Sequence, residues 1–264
     1  MQKLIFSFSL LIFISIKAFG QIDFQKPFQD CGLQGSITIY DYKNKKWTFS
    51  DKQDAKRETL PASTFKIINS LIALETGAVR DEHEVLKWDG VKRDIEAWNA
   101  DTDMENAFKN STVWFYVRLA ERVGHEKYKG FLKKSSYGNG KIDNGAENGD
   151  FWNVGDFGVT PESQTKFLKA FYEEKLPFSK RSFEIVKRIM INETTDNYTL
   201  RAKTGWTTFG GNDTGWWVGY VMRKDNTYFF ATRIIKKREI KNPRFAECRK
   251  EITRTVLREM KIIE

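Results

Sequence analysis

One helix-forming stretch is apolar on all of its faces, and it constrains the fold more than any other part of the sequence. From Ser63 onward neither glycine nor proline interrupts it before Gly77, which is a natural stop. Its large apolar side chains lie all round the helix: Phe65, Ile67, Ile68, Leu71, Ile72 and Leu74. A helix with no polar face is buried, so we expect the rest of the domain to cover this one.

Strand-like segments lie near both ends of the chain, and helical segments lie between them. Residues 35–51 alternate apolar and polar side chains around a lysine-rich turn, which predicts a hairpin. Strands are predicted at 198–206, 214–223 and 226–235, and helices at 63–76, from Thr160-Pro161 onward, at 182–192 and at 247–260. This order predicts an α+β fold in which helices cover an antiparallel sheet and a helical subdomain is inserted.

The first twenty residues are typical of an export signal. Lys3 precedes the apolar run 4–16, and Ala18-Phe19-Gly20 is a small-x-small cleavage pattern. A membrane anchor is the alternative, but the run is shorter than the ~20 residues that a spanning helix needs. We therefore expect residues 1–20 to be a cleaved signal peptide, and residues 21–264 to be soluble, periplasmic and free of the membrane.

Charge and residue usage argue against two classes of function. The formal charge of +9 is spread along the chain, without the basic stripe and interleaved aromatic residues that are typical of nucleic-acid binding. Two histidines, His83 and His125, are too few for a histidine-rich site, so we expect no metal. Cys31 and Cys248 do not make a disulfide framework; a single bridge and two buried thiols both remain open.

Lys66 lies in the first turn of the apolar helix, three residues after Ser63. No acidic residue lies between Ser63 and Leu74, and burial without an acidic partner lowers the pKa of a lysine. A neutral amine is a base, and a helix N-terminus offers N–H groups to developing negative charge. These are the components of an acyl-transfer enzyme. The alternative is that Ser63 caps the helix and Lys66 extends to water, and this stretch alone does not decide between the two.

A second Ser-x-x-Lys sequence, Ser163 to Lys166, provides an internal comparison. It also begins a helix, but Lys166 lies off the apolar face formed by Phe167 and Phe171 and is close to Lys169. We therefore expect Lys166 to be solvated and to have no catalytic role.

Five segments together resemble the motifs of a known enzyme family. They are Ser63–Lys66, Ser111–Val113, Tyr137–Asn139, Phe151–Trp152 and Lys203–Gly205. In this order and spacing they resemble the class D (oxacillinase-type) serine β-lactamases over essentially the whole mature chain. Valine at the third position of the second motif distinguishes this pattern from penicillin-binding proteins, which usually have asparagine there.

The resemblance implies the fold of the penicillin-recognising serine enzymes. That fold is an α/β/α sandwich, in which a five-stranded antiparallel sheet is flanked by helices and carries an inserted helical subdomain. It implies one catalytic domain over residues 21–264. Its sheet part would comprise about 21–75 and 185–264, and its helical part about 76–184.

The resemblance also implies how the nucleophile is activated. Ser63 would attack the β-lactam carbonyl, and Lys66 would act as general base in the form of N6-carboxylysine. CO2 is consumed in making this carbamate, and no other cofactor is expected. Val113 would lie against the lysine and keep its pocket dry, while Trp152 would donate its indole N–H to the carbamate.

Further roles follow from the same resemblance. Ser111 would relay a proton to the leaving nitrogen, and the backbone N–H groups of Ser63 and Trp206 would form the oxyanion hole. The carboxylate of the substrate would be held by four residues: Lys203, Thr204, Gly205 and Arg249. The resemblance places this arginine at the start of the last helix, whereas Arg254 and Arg258 are expected on a solvated helix face.

Three other functions share these motifs. A β-lactam sensor domain remains acylated, but such domains end long multi-span membrane chains. A penicillin-binding protein acts on peptidoglycan, but Val113 and the short chain argue against it. The motifs also leave open a secreted member of the family with negligible turnover. The expected partners are β-lactam antibiotics; the sequence leaves open which subclasses are hydrolysed, carbapenems included, and the oligomeric state.

Overall fold

The computed structural model of the protein describes residues 22–142 and 149–264. The predicted signal peptide, residues 1–20, lies outside these ranges. Within them, no helix combines the length and the apolar character that crossing a membrane requires.

An antiparallel sheet forms the centre of the fold, as predicted. Its strands are β1 (Gln34–Asp41), β2 (Lys46–Phe49), β3 (Ile191–Thr194), β4 (Tyr198–Phe209), β5 (Asn212–Arg223) and β6 (Thr227–Lys237). Across the sheet they follow the order β2-β1-β6-β5-β4-β3. The predicted hairpin is the pair β1–β2, and the three predicted C-terminal strands are β4, β5 and β6.

The number of strands corrects the prediction of five, because the described residues form six. The additional strand is β3, a four-residue strand at the sheet edge beside β4. Its side chains are mostly exposed, so it lacks the alternation of apolar and polar residues that signals a strand. The helix predicted over 182–192 accordingly ends at Ile189, before this strand begins.

Helices cover both faces of the sheet. They are α1 (Lys26–Asp30), α2 (Lys66–Glu75), α3 (Met104–Asn110), α4 (Val113–Val123), α5 (His125–Lys134), α6 (Pro161–Tyr172), α7 (Lys180–Ile189) and α8 (Phe245–Glu259). Trp216 and Tyr220 of β5 join one apolar core with α2 and α6, while Trp217 and Val221 join another with α1 and α8. Alternation along the strands therefore produces the predicted α/β/α layers. The division of the domain into a sheet part and a helical part stays a prediction.

The apolar helix is central, as its sequence predicts. It begins as a tight 3-10 turn, Ala62–Phe65, which continues into α2. Every residue from Lys66 to Leu74 is buried. Gly77 follows the helix with a φ of +71°, in the left-handed region that favours glycine.

Cys31 and Cys248 form a disulfide, which decides between the two arrangements that the sequence left open. Their Cα atoms lie 6.1 Å apart, although the two residues are 217 positions apart along the chain. Cys31 directly follows α1, and Cys248 lies in the first turn of α8. The bridge therefore joins the first and last helices of the described chain on one face of the sheet.

Candidate active site

Ser63 lies on the 3-10 turn, which is held on two sides. On one side, the backbone N–H of Ala62 donates to the carbonyl oxygen of Trp152 at 2.9 Å. On the other side, β4 passes so closely that a Cβ atom at Gly205 would lie 2.9 Å from the carbonyl oxygen of Pro61. Glycine at this position therefore allows β4 and the serine turn to form one site.

Lys66 Nζ lies 3.0 Å from Ser63 Oγ. The lysine side chain is fully buried, and this burial lowers its pKa to about 7, although the charge of Asp150 acts in the opposite direction. Lys66 thus does not extend to water, and Ser63 makes no side-chain cap of the helix. The pair combines a serine hydroxyl with an amine that is readily deprotonated.

Trp152 carries a buried donor for which the described residues provide no acceptor. The side chain is fully buried, and its ring stacks on Phe65 with the centroids 5.0 Å apart and the planes at 8°. Its indole Nε1 has no hydrogen-bond partner among the described residues. Such a donor costs free energy, so an acceptor bound beside it would be stabilising. A carbamate on Lys66, which directly follows Phe65, is compatible with it; the role stays a prediction.

The second serine and the second lysine are in contact. Ser111 ends α3 in a left-handed backbone conformation, with a φ of +57°. Lys203 Nζ lies 2.5 Å from Ser111 Oγ and 3.1 Å from the carbonyl oxygen of Thr204. Burial lowers the pKa of Lys203 well below its ordinary value, and the charges of Lys66 and Arg249 lower it further. A lysine in this state releases a proton to a neighbour easily.

A cleft of about 850 Å³ collects the predicted site residues. Seven of them line it: Ser63, Ser111, Val113, Thr204, Gly205, Trp206 and Arg249. The other three, Lys66, Trp152 and Lys203, are buried. The cleft also contains Ile95 and Trp98, which belong to no motif and were not predicted.

The backbone N–H of Trp206 lies on the edge of β4 that faces away from β5. Ala202 donates its N–H to the carbonyl oxygen of Met190 at 2.9 Å, on the edge away from β5. Because N–H groups alternate along a strand, Trp206 directs its N–H to that same edge. The preceding residue, Gly205, is the point at which β4 passes close to the serine turn. Trp206 is therefore suitably placed for the oxyanion hole, and this role stays a prediction.

Arg249 is the arginine of α8 that lines the cleft. Its Nη1 donates to the carbonyl oxygen of Gly205 at 2.6 Å, and its buried Nε has no partner in the described part of the chain. Burial lowers its pKa to about 10, so it remains charged at neutral pH. Arg254 instead pairs with Glu193 at 2.5 Å, and Arg258 donates to a backbone oxygen at the end of the chain.

Comparison with known proteins identifies the family. The family described as "Penicillin binding protein transpeptidase domain" matches residues 35–257. The β-lactamase OXA-2 of Salmonella typhimurium is 39% identical over 214 residues, which cover 80% of this chain and 76% of that protein. This chain belongs to the class D β-lactamases.

Solved class D structures extend the match to the fold. The class D β-lactamase of Sebaldella termitidis superposes with a TM-score of 0.88 at 46% identity, over 93% of this chain and 98% of that one. The class D β-lactamase YbXI from Nostoc gives a TM-score of 0.87 at 43% identity, over 91% of this chain and 99% of that one. The resemblance inferred from the motifs is thus confirmed, and the protein is an enzyme of the hydrolase class.

A buried network behind Ser63 was not predicted. Gln164 Nε2 donates to Thr64 Oγ1 at 2.7 Å, and the Tyr137 hydroxyl donates to Gln164 Oε1 at 3.2 Å. The network therefore connects the Tyr137–Asn139 motif and α6 to the residue after Ser63. The only signal in the sequence was a glutamine within an amphipathic helix, and this does not reveal its partners.

The second Ser-x-x-Lys sequence serves a structural purpose. Ser163 forms a capping box with Thr160 at the start of α6. The side chain of Lys166 is 61% exposed and pairs with Glu162 at 2.6 Å. The prediction that this lysine is solvated is confirmed, in contrast to the fully buried Lys66.

Proposed function

We propose that the protein is a serine β-lactamase that hydrolyses the amide bond of β-lactam antibiotics and so confers resistance to them. One observation carries the proposal: the buried amine of Lys66, with a pKa of about 7, lies 3.0 Å from the oxygen of Ser63, which lines the cleft. The name of the relative OXA-2, a β-lactamase, supports the substrate class.

The first step forms an acyl-enzyme. Lys66 in its carboxylated form accepts the proton of Ser63 as its Oγ attacks the carbonyl carbon. Above a pH of about 7 most Lys66 amines are neutral, as the addition of CO2 requires. The carbonyl oxygen then gains negative charge, which the backbone N–H groups of Ser63 and Trp206 stabilise. The loss of one such donor lowers the rate roughly a hundred- to thousandfold.

The ring opens when the leaving nitrogen receives a proton. Ser111 Oγ gives its proton to this nitrogen, and Lys203 Nζ, 2.5 Å away, gives Ser111 a proton in return. The negative carboxylate of the bound substrate favours the charged form of Lys203, which therefore carries this proton when the substrate is present.

The carboxylate of the substrate binds where β4 meets α8. Arg249 provides a positive charge and an Nε–H that has no acceptor among the described residues. Thr204 adds a hydroxyl, and Lys203 adds a second positive charge. Gly205 has no side chain, so the substrate lies close to the strand.

Hydrolysis of the acyl-enzyme requires a base for the attacking water. CO2 bound to the neutral amine of Lys66 supplies a carboxylate that serves as this base. Lys66 fits this modification because only an uncharged amine adds CO2, and burial brings its pKa to about 7. Trp152 would hold the added group with its unpartnered indole N–H. Val113, which begins α4 at the cleft, offers no hydrogen bond to the amine and keeps its surroundings dry. The proposal includes no metal and no further cofactor.

We also propose export to the periplasm after cleavage of residues 1–20. The apolar run 4–16 and the cleavage pattern that ends at Gly20 support this location. Mass spectrometry of the protein from a periplasmic extract should give a mature chain that begins at Gln21. An uncleaved chain confined to the cytoplasm would contradict the proposal.

Steady-state hydrolysis by purified residues 21–264 tests the proposed function. We expect turnover of a chromogenic cephalosporin and of at least part of a panel of penicillins, cephalosporins and carbapenems. The Ser63→Ala variant gives the background rate of hydrolysis. A burst of one product per enzyme without further turnover would identify a β-lactam binder instead, and the absence of any covalent adduct would reject the whole proposal.

A further inference from the structure

Arg249 is the immediate neighbour of the disulfide. Cys248, directly before it in the first turn of α8, is fully buried and bonded to Cys31. Cys31 is itself held in place, because its carbonyl oxygen accepts a hydrogen bond from Asn242 Nδ2 at 2.9 Å and α1 contributes Phe28 to the core. The first turn of α8 is thus covalently tied to a well-anchored segment.

The position of Arg249 is electrostatically unfavourable without a bound anion. Its guanidinium is largely removed from water, which disfavours its charge. Among the described residues, the only hydrogen bond found for the guanidinium is the one to the carbonyl oxygen of Gly205. Both effects favour an outward shift of this turn, which would return the guanidinium to water.

The other restraints on this turn are non-covalent. Phe245 packs against Trp206 with the ring centroids 5.1 Å apart. The preceding residue, Arg244, provides no side-chain cap for α8. The disulfide is therefore the covalent tie among the restraints that oppose the outward shift.

We propose that the Cys31–Cys248 disulfide is a positioning device for Arg249, which keeps the guanidinium at the cleft in the absence of substrate. The inference rests on the proposed function, because it takes Arg249 as the anchor of the substrate carboxylate. Reduction by a phosphine breaks the S–S bond to give two thiols, while the phosphine is oxidised to its oxide and water supplies the oxygen and the two protons. The anchor then loosens, whereas Ser63 and Lys66 keep their contact.

The test compares KM and kcat for a chromogenic cephalosporin before and after phosphine treatment, with thiol titration to confirm reduction. In wild type we expect reduction to raise KM about three- to tenfold and to leave kcat nearly unchanged. This rise is smaller than the one expected for complete loss of a charge-assisted hydrogen bond, because Arg249 is displaced and not removed. Cys31→Ser should show the raised KM without reductant and should not respond to it. Cys248→Ala provides a second variant should Cys31→Ser fold poorly.

Two controls separate positioning from general stability. In Arg249→Ala, reduction should leave KM unchanged, because the two changes act through one contact and are not additive. Ser182→Ala removes the hydrogen bond that the hydroxyl of the buried Ser182 donates to Glu75, and it should lower Tm without raising KM.

Two results would overturn the inference. One is a wild-type KM in both cysteine variants, and the other is an equal rise of KM upon reduction in the Arg249→Ala background. A failure of the proposed function itself is recognised separately. In that case the oxidised wild type does not hydrolyse the substrate, or Arg249→Ala alone leaves KM unchanged.

Discussion

The amine of Lys66 and the hydroxyl of Ser63 lie 3.0 Å apart, one turn from each other, and the lysine is completely shielded from solvent. A spacing of three residues brings both side chains to one side of the turn. The apolar side chains around α2 remove the water that would otherwise keep Lys66 charged. Burial of an ammonium costs more free energy than burial of an amine, so the pKa falls. The sequence pattern that buries this helix thus also prepares its lysine to act as a base.

Covalent labelling should distinguish the two Ser-x-x-Lys sequences. Ser63→Ala should abolish labelling by a fluorescent penicillin, because it removes the nucleophile beside the buried lysine. Ser163→Ala should leave labelling intact, because Ser163 caps α6 and Lys166 is solvated. Gel fluorescence with matched protein amounts measures both. Labelling that persists in Ser63→Ala would reassign the nucleophile.

Contacts between residues close in the sequence were predicted better than contacts between residues far apart in it. Ser63 and Lys66 are separated by a single turn, so their contact follows from helix geometry alone. The disulfide between Cys31 and Cys248 was left open, because its partners are 217 positions apart along the chain and meet only after folding. Strand β3 was missed because an exposed edge strand shows no alternation of apolar and polar residues. The contact of Gln164 with Thr64 was missed because the sequence does not show which acceptor a buried amide reaches.

Trp152→Phe tests the unpartnered indole N–H. Phenylalanine keeps a ring that stacks on Phe65 but removes the donor Nε1. We expect kcat to fall by about tenfold or more, as for the loss of a hydrogen bond to a charged group, and added bicarbonate to restore part of it. Tm should change little. The control is Trp217→Phe, which removes another buried indole N–H without a described partner, on the opposite face of the sheet. Equal losses of activity in the two variants would reject the specific role of Trp152.

Arg249→Ala should raise KM for substrates that bear the ring carboxylate more than Arg254→Ala does. Arg249 lines the cleft with an Nε that has no partner among the described residues, whereas Arg254 pairs with Glu193. A charge-assisted contact contributes about 1.5–3 kcal/mol, so the loss corresponds to roughly a ten- to hundredfold rise in KM. Steady-state kinetics on both variants decide the matter. Equal effects would mean that the anion site lies elsewhere.

Activity should rise with pH through about 7 and should depend on CO2 below that pH. Burial lowers the pKa of Lys66 to about 7, so the amine is an ammonium below this pH and neutral above it. Only the neutral amine adds CO2. At a pH near 6 turnover should therefore fall about tenfold, since each pH unit below the pKa lowers the neutral fraction by that factor, and bicarbonate should restore part of it.

A loss of turnover caused by unfolding must be distinguished from one caused by protonation of Lys66. The pKa of Lys66 is lower in the folded than in the unfolded chain, so the unfolded chain binds more protons between a pH of about 7 and about 10. The contribution of Lys66 to the free energy of unfolding therefore rises with pH over that range and is constant below it. Circular dichroism near pH 6 should accordingly show a folded protein.

Carbon-13 NMR with labelled bicarbonate should give a carbamate signal in wild type and none in Lys66→Ala. If wild type gives no such signal, and its turnover is indifferent to bicarbonate from acidic to neutral pH, then Lys66 acts as a simple amine.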